Sequence, residues 1–590
     1  MKQFFKIFFA SMLGFIFGLG LLFFLFIVII SMSVSSLKND EVIVSENSIL
    51  HIRLDFPLKD RSSNNPFENF NLNRFEAKHS IGLNDILKNI KKASKDDKIK
   101  GIYLDVTSLE GGIASIDEIR NALLQFRKSG KFIYAFADYY TQGGYYLASA
   151  ADKIYLNPEG SVGLTGLAAQ LMFFKGTLEK LEVEPQVIRH GKFKSAIEPF
   201  ILDKMSDENR AQIRAFVDPM WEHLSKSICL QRKISTDDFK LIVDSMKART
   251  AADAKELKLV DELAYFDEFT AALNKKIGKK TDEKIKLVSL GRYKKSPEPK
   301  GTGATFPKDK IAVIFASGSI SNGDGDDESI GSDKLSDAIR SARKDEKIKA
   351  IVLRVNSPGG DALASEEIWR EVLLAKKAKP VIVSMGDVAA SGGYYISCAA
   401  DKIVVQENTL TGSIGVFGLL FNAEKMLKNK LGITTDVYKT NPFTDMGSIA
   451  RPLTPSEQLI LQQEVDRIYD VFTRRVAEGR KLTQPQVDSI GQGRVWAGAK
   501  AIEIGLADTL GGLETAIDIA AAKAGIKEYR ITQLPEQKDP FQAMLQDFST
   551  EVSTKVTMEQ TGESYKYIKA IKEILHLNGV QALSPYSVNF

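Results

Sequence analysis

Cysteine and histidine are the scarce residues of this chain. Two cysteines, Cys229 and Cys398, occur in 590 residues, too few for a disulfide framework in a protein of this size. Each lies in an apolar stretch, which reads as a small buried hydrophobe. The five histidines, His51, His79, His190, His223 and His576, include no pair at metal-ligand spacing, which argues against a zinc-type site. An excess of charge of one sign is lacking too. Lys+Arg number 79 against 75 Asp+Glu, for a formal net charge of +4, with lysine and glutamate interspersed. A nucleic-acid surface needs a concentrated basic face, so this pattern argues against one. Asn322-Gly323-Asp324-Gly325-Asp326 has the outline of a calcium loop. Asp327 stands where position six requires glycine, so an acidic solvated loop is expected.

What is present begins with length. At 590 residues the chain is too long for one ordinary core, and its 44% hydrophobic and 26% charged content is that of a globular protein. Lys2 and Lys6 precede an uncharged run from Ile7 to Ile30. At about 1.5 Å per residue this run spans the roughly 30 Å hydrocarbon layer. A cleavable signal has a shorter core of about 7–15 apolar residues and a small-residue cleavage site, whereas Phe, Ile and Leu persist here to the end. We read an uncleaved anchor, N-terminus inside and remainder outside. In a bacterium the bulk then faces the periplasm or exterior.

The chain repeats itself. Tyr139-Tyr140-Thr141-Gln142-Gly143-Gly144-Tyr145-Tyr146 matches Val388-Ala389-Ala390-Ser391-Gly392-Gly393-Tyr394-Tyr395, and Ala151-Asp152-Lys153-Ile154 matches Ala400-Asp401-Lys402-Ile403. Lys95–Ile102 pairs with Lys344–Ile351, and Gly160–Gly166 with Gly412–Gly418. The offset is 249 residues for the first of these and 252 for the second. A period this long is a duplicated domain rather than a solenoid. The expected organisation is a cytoplasmic N-terminus over 1–6, an anchor over 7–31, a first repeat over 48–293, a linker over 294–308, a second repeat over 309–530 and a tail over 531–590.

Within the second repeat, Ile311–Phe315, Ala350–Val355, Val381–Ser384 and Ile403–Val405 are short apolar, β-branched runs. Ala364, Ile368, Val372 and Ala375 mark one face of a helix between them. Continuous apolar strands separated by such helices imply βαβ units around a buried parallel sheet. Sites in such sheets form where loops leave the carboxyl ends of strands. Asn356-Ser357-Pro358-Gly359-Gly360 and Met385–Ser391 are the two expected loops, with Ser391 opening a helix through Tyr394–Ala399.

Gln142 occupies in the first repeat the place of Ser391 in the second. A hydroxyl kept in one copy only points to a nucleophile, although serine is also a common N-cap. First-turn amides, Gly392 among them, can donate to an oxyanion, and Gly359 or Gly360 can add another. A serine nucleophile needs a base, and the histidines lie outside the core of this repeat. Lysine remains. Gly191-Lys192-Phe193-Lys194-Ser195-Ala196 sets lysines among apolar groups, and spacing alone does not choose Lys194 over Lys192. Aligning Phe193 with Phe443 puts Thr444 in the place of Lys194, so the asymmetry is reciprocal.

Four motifs carry a resemblance: Lys194-Ser195-Ala196-Ile197-Glu198-Pro199-Phe200, Asn356–Gly360, Ala390–Tyr395 and Thr411-Gly412-Ser413-Ile414-Gly415. In this order, in a tandem duplication, they resemble the long form of the bacterial signal peptide peptidase A (protease IV) family over roughly residues 50–530. The resemblance implies an α/β fold: a tandem duplication of a crotonase/Clp-protease-like βαβ domain behind an N-terminal transmembrane helix. It implies a serine endopeptidase with Ser391 as nucleophile, Lys194 as general base and Ser413 orienting the lysine. Gly359, Gly360 and Gly392 fall in the oxyanion region. It further implies signal peptides and other apolar, extended peptides as substrates, no cofactor, no metal and no nucleic acid. A homotetramer in the bacterial inner membrane, single-pass and facing the periplasm, completes the expectation. Rival readings are a crotonase-like acyl-CoA enzyme and a catalytically silent membrane scaffold. The tail is the least matched part, and Phe541–Phe548 and Tyr565–Leu575 are expected to be helical.

Overall fold

The computed structural model describes residues 2–38, 42–64, 70–71, 76–77, 81–299, 307–326, 329–537 and 579–583. His79, His576 and the two expected tail helices lie outside them. The chain opens with a helix, Lys2–Lys38. Within it Gln3–Leu21 is long and apolar enough to cross a membrane by length and composition, and is wholly unburied by the rest of the protein.

Two sheets follow, one from each half. The first runs Glu262–Leu263, Lys153–Leu156, Phe132–Ala137, Ile99–Asp105, Ser48–Arg53, Leu287–Ser289, every neighbour parallel. The second is built on Val381–Ala390, Ile348–Ser357, Lys310–Ser317 and Arg530–Leu534 in parallel. Its far edge, Val495–Ala497 on Leu410–Gly412, is antiparallel. Helices connect and cover these strands, as the βαβ pattern demands. Ala312, Ile314, Ile351 and Leu353 enter one apolar cluster of the second sheet, while Ile311, Val313, Ala350 and Val352 enter another on its opposite face. That two-sided burial is why these strands read as unbroken apolar runs. Ala364, Ile368, Val372 and Ala375 are all buried on the helix Ala362–Ala378.

Two expected loops are largely strand. Val381–Ala390 continues past Ser384 because Val388, Ala389 and Ala390 pair with Leu410, Thr411 and Gly412. Asn356 and Ser357 extend the strand Ile348–Ser357, and Gly359–Asp361 forms a short strand of its own. Local sequence showed the turn residues Pro358 and Gly359 but not these distant partners.

The halves are joined by charge as well as by apolar packing. Arg354, wholly buried, meets Asp60 Oδ1 at 2.7 Å and Glu118 Oε1 at 2.7 Å, both from the first half. Asn408 Nδ2 donates to Asp117 at 2.8 Å, and Ser115 donates twice to Asp387. Leu410, Val495 and Ala497 sit in the apolar core of the first half. Cys229 and Cys398 are both buried and unpaired, matching the small-hydrophobe reading.

A third sheet crosses the boundary. Glu184–His190 of the first half pairs antiparallel with Val416–Asn422 of the second, His190 opposite Val416 and Glu184 opposite Asn422. This ladder fixes where the segment after His190 goes, and that segment carries Lys194.

Candidate active site

The turn from Gly191 onward is tight. Gly191 has φ +100°, and a Cβ there would lie 2.6 Å from the Gln492 carbonyl carbon. Phe193 N–H donates to Gln492 O, and Arg494 lies over the Phe193 ring at 3.9 Å. Lys192 is left exposed while Lys194 is 1% exposed, so burial separates two lysines that spacing could not. After Lys194 the chain enters a short 3-10 turn, Ser195–Ile197, and the helix Glu198–Ile201. Glu198 is buried and accepts from Asn209 Nδ2 at 2.7 Å and Ser206 Oγ at 2.5 Å.

Lys194 Nζ donates to Ser391 Oγ at 2.9 Å, to Ser413 Oγ at 3.0 Å and to Ser413 O at 3.3 Å. Phe417 lies 6.0 Å from the amine, and Ala196, Ile197, Phe200, Phe417 and Leu419 form an apolar cluster beside it. Burial pushes the Lys194 pKa down to about 7. About half of this lysine is then neutral at pH 7, against roughly one in 2,500 for a solvated lysine. A neutral amine beside a hydroxyl is a base in position to take its proton.

Ser391 ends the strand Val381–Ala390 and precedes the helix Gly392–Ser397, but it does not cap that helix through its side chain. Its backbone, φ 55° and ψ −115°, lies in a strained region that costs on the order of 1–3 kcal/mol. Its N–H donates to Gly412 O at 2.8 Å. The hydroxyl makes no bond to the first-turn amides that a cap would satisfy and is instead bonded to Lys194. Ser413 also has positive φ, 49°, with its N–H on Arg494 O at 2.6 Å.

Glycines make room at the site. A Cβ on Gly392 would lie 3.1 Å from both Gly359 Cα and Gly360 N, and one on Gly393 would lie 2.6 Å from Ser357 O. Gly359, Gly360 and Gly392 therefore converge beside Ser391. The Gly359 amide donates to Ser357 Oγ at 3.1 Å. Two further glycines, Gly415 of the Ser413 motif and Gly493, which no motif marked, pack on the lysine itself. A Cβ on Gly493 (φ +85°) would lie 2.6 Å from Lys194 N, and one on Gly415 would lie 3.3 Å from Lys194 Cδ.

The twin position is filled differently. Thr141 caps the helix Gln142–Ala148, accepting from Gly144 N. Gln142 Oε1 accepts from Thr165 N and Gly166 N at 3.1 and 2.9 Å, and its Nε2 donates to Gly166 O. Gln142 thus ties down the loop of the first repeat that corresponds to the Ser413 loop. Thr444, aligned with Lys194, sits in an exposed turn with its hydroxyl on Asn441 O.

Among the described residues, His51 meets Asp105, His190 meets Asp466, and His223 lies between Asp117 and Glu407. None of them is hydrogen-bonded to Ser391.

Comparison with known proteins follows the same division. The profile of peptidase family S49 matches twice, over residues 125–280 and 374–527, and that of Clp protease matches residues 311–409. "Protease 4" of Salmonella typhi is 41% identical over 459 residues, covering 76% of this chain and 73% of that protein. "Protease 4" of Haemophilus influenzae is 36% identical over 539 residues, covering 89% and 85%. "Serine protease SPPA, chloroplastic" of Arabidopsis thaliana is 34% identical over 508 residues, covering 85% and 74%. With both repeats matched and such relatives aligned over most of their own length, this chain belongs to peptidase family S49, as a serine protease.

Proposed function

We propose that the chain is a membrane-anchored endopeptidase with a Ser–Lys dyad that degrades signal peptides left in the membrane after preprotein cleavage. Neutral Lys194 takes the proton of Ser391 as the oxygen attacks a peptide carbonyl. The tetrahedral oxyanion is held by backbone amides around Gly359, Gly360 and Gly392. Collapse expels the amine, which receives the proton from Lys194. Water then attacks the acyl ester, Lys194 taking its proton and returning it to Ser391 Oγ as the carboxyl product leaves. Ser413 positions the amine from its other side.

The observation that carries this reading is the 2.9 Å hydrogen bond between a buried lysine amine and a buried serine hydroxyl, 197 residues apart in sequence. The strained backbone of Ser391 and the lowered Lys194 pKa support it. The apolar helix at the N-terminus supports anchoring in the inner membrane with the remainder in the periplasm. Apolar leader fragments released in that membrane are the matching substrate, bound as extended strands. Exposed Leu431, Ile433, Val437, Tyr438, Phe443 and Ile449 suit a contact between copies in a homotetramer.

The test is fluorophosphonate labelling together with cleavage of a synthetic leader peptide in detergent. Ser391→Ala and Lys194→Ala are expected to lose about 10³-fold or more of kcat/KM, with Lys192→Ala close to wild type. Cleavage at wild-type rate by both dyad variants overturns the assignment.

A further inference from the structure

The lysine turn and the loop that carries Ser413 are both tied to one helix. That helix, Asp207–Arg232, belongs to the first half and is capped by Ser206. Ser206, Asn209 and Gln212, spaced three apart, neighbour one another along its first two turns, and Asn209 is 1% and Gln212 5% exposed. Ser206 and Asn209 hold Glu198, four residues past Lys194. Glu198 Oε1 accepts from Ser206 Oγ at 2.5 Å, and Oε2 accepts from Ser206 N at 3.2 Å and from Asn209 Nδ2 at 2.7 Å. Gln212 Oε1 accepts from Val495 N at 3.1 Å. Val495 opposes Gly412 in the second sheet. Gly412 O in turn holds the Ser391 N–H, and Arg494 O holds the Ser413 N–H. One side of one helix therefore grips the lysine turn with two residues and the wall behind the serines with a third.

Glu198 is 4% exposed. Burying a carboxylate is costly unless hydrogen bonds replace its water, and none of the three donors here is a cation. An apolar side chain could fill the volume, but it could not take three donors, which a carboxylate accepts at its two oxygens. Ala196, Ile197 and Phe200 already supply the turn with apolar packing. What the carboxylate adds is direction. It fixes how the turn sits on the helix, and with it the point from which the lysine side chain starts.

We propose that Glu198 is a positioning residue, which through Ser206 and Asn209 locks the Lys194 turn to the helix that also holds Val495, and so keeps the amine enclosed and within reach of Ser391. The inference rests on the proposed role of Lys194 as base and adds a residue that acts through it.

The test compares Glu198→Ala with Glu198→Gln in the full chain in detergent. Alanine removes all three bonds. Glutamine can keep them, its oxygen accepting from the two N–H donors while its amide donates to Ser206 Oγ. Glu198→Ala is expected to lower kcat for a leader peptide about 10–100-fold with KM within about twofold of wild type. Water reaching a loosened amine favours its charged form, so the midpoint of the pH–rate profile is expected to rise by about one unit or more. Glu198→Gln is expected to recover most of kcat and the wild-type midpoint. A mere loss of folded protein lowers the rate without moving the midpoint. Amide hydrogen exchange over residues 192–197 reads the turn without cleavage, and is expected to quicken in Glu198→Ala but not in Glu198→Gln. Where Glu198→Ala does not fold, Asn209→Ala, which removes one bond of the three, is read in the same way. Wild-type kcat and midpoint in Glu198→Ala, or a lower rate with the midpoint in place, overturn the proposal. Cleavage at wild-type rate by Lys194→Ala removes the base reading instead, and quickened exchange in Glu198→Ala then leaves the hold on the turn standing.

Discussion

His190 and Val416 face each other in an antiparallel ladder that joins the two halves of the chain. Four residues beyond one and three residues before the other lie Lys194 and Ser413, hydrogen-bonded at 3.0 Å. One strand pairing thus sets a buried lysine of the first repeat beside the serines of the second.

The pH dependence follows from the Lys194 amine. Its pKa, pushed down by burial to about 7, leaves the neutral, base-competent form dominant above pH 7 and scarce below. The kcat/KM for a leader peptide is expected to rise with pH through a midpoint near 7. It should fall about tenfold per pH unit well below that. Lys194→Arg, whose guanidinium stays protonated, is expected to show no such limb and no activity. A rate profile measured from pH 5 to 9 checks this, and a midpoint near 10 contradicts it.

Ser413 is hydrogen-bonded to the lysine through both its hydroxyl and its carbonyl. Ser413→Ala removes the hydroxyl acceptor at 3.0 Å and leaves the carbonyl acceptor at 3.3 Å. We expect kcat to fall about 10–100-fold with KM little changed, the signature of a misplaced base. A drop confined to KM would assign Ser413 to substrate binding instead.

Gly493 is the tightest constraint on the Lys194 backbone. Gly493→Ala places a Cβ 2.6 Å from Lys194 N and forces φ +85° on alanine. A displacement of the amine by about 1 Å is expected to cost up to about 100-fold in kcat. Circular dichroism should show the fold retained, and fluorophosphonate labelling of Ser391 should slow in parallel.

Arg354 tests the junction of the halves. Arg354→Met leaves Asp60 and Glu118, each 2% exposed at the side chain, without their counter-charge. Losing one member of a buried ion pair costs roughly 3–5 kcal/mol, read as a lower urea midpoint. An unchanged midpoint would mean that solvent reaches the cluster.

Restoring a serine to the first repeat should not restore a second site. Gln142→Ser gives up the three hydrogen bonds that hold Thr165 and Gly166, and the twin of Lys194 is an exposed Thr444. Labelling is expected to stay at one probe per chain, with stability lower by about 1–3 kcal/mol. Two probes per chain would contradict this.

Much of the site was legible because its parts are local. The Gly-Gly-Tyr-Tyr repeat with Gln142 against Ser391 pointed to the hydroxyl, and the apolar runs marked four strands of the second sheet. Their lengths were not legible. Val388–Ala390 becomes strand only because Leu410–Gly412 lies alongside, and Gly415 and Gly493 matter only because Lys194 is threaded against them. The tail showed no motif, yet Gly579–Leu583 pairs on both edges, since strand addition depends on backbone hydrogen bonds that any non-proline sequence can make.

The amino-acid order by itself determined the duplication, the parallel βαβ units, the apolar N-terminal helix and the singular serine. Each of these is written in residue type and short-range periodicity. The tertiary structure decided which lysine is buried beside Ser391, a choice that spacing left open. Lys192 and Lys194 differ by nothing in their composition, but one faces water and the other is enclosed by Phe417, Gly415 and Gly493. Enclosure, which removes the water that stabilises an ammonium ion, comes from chain segments more than two hundred residues away.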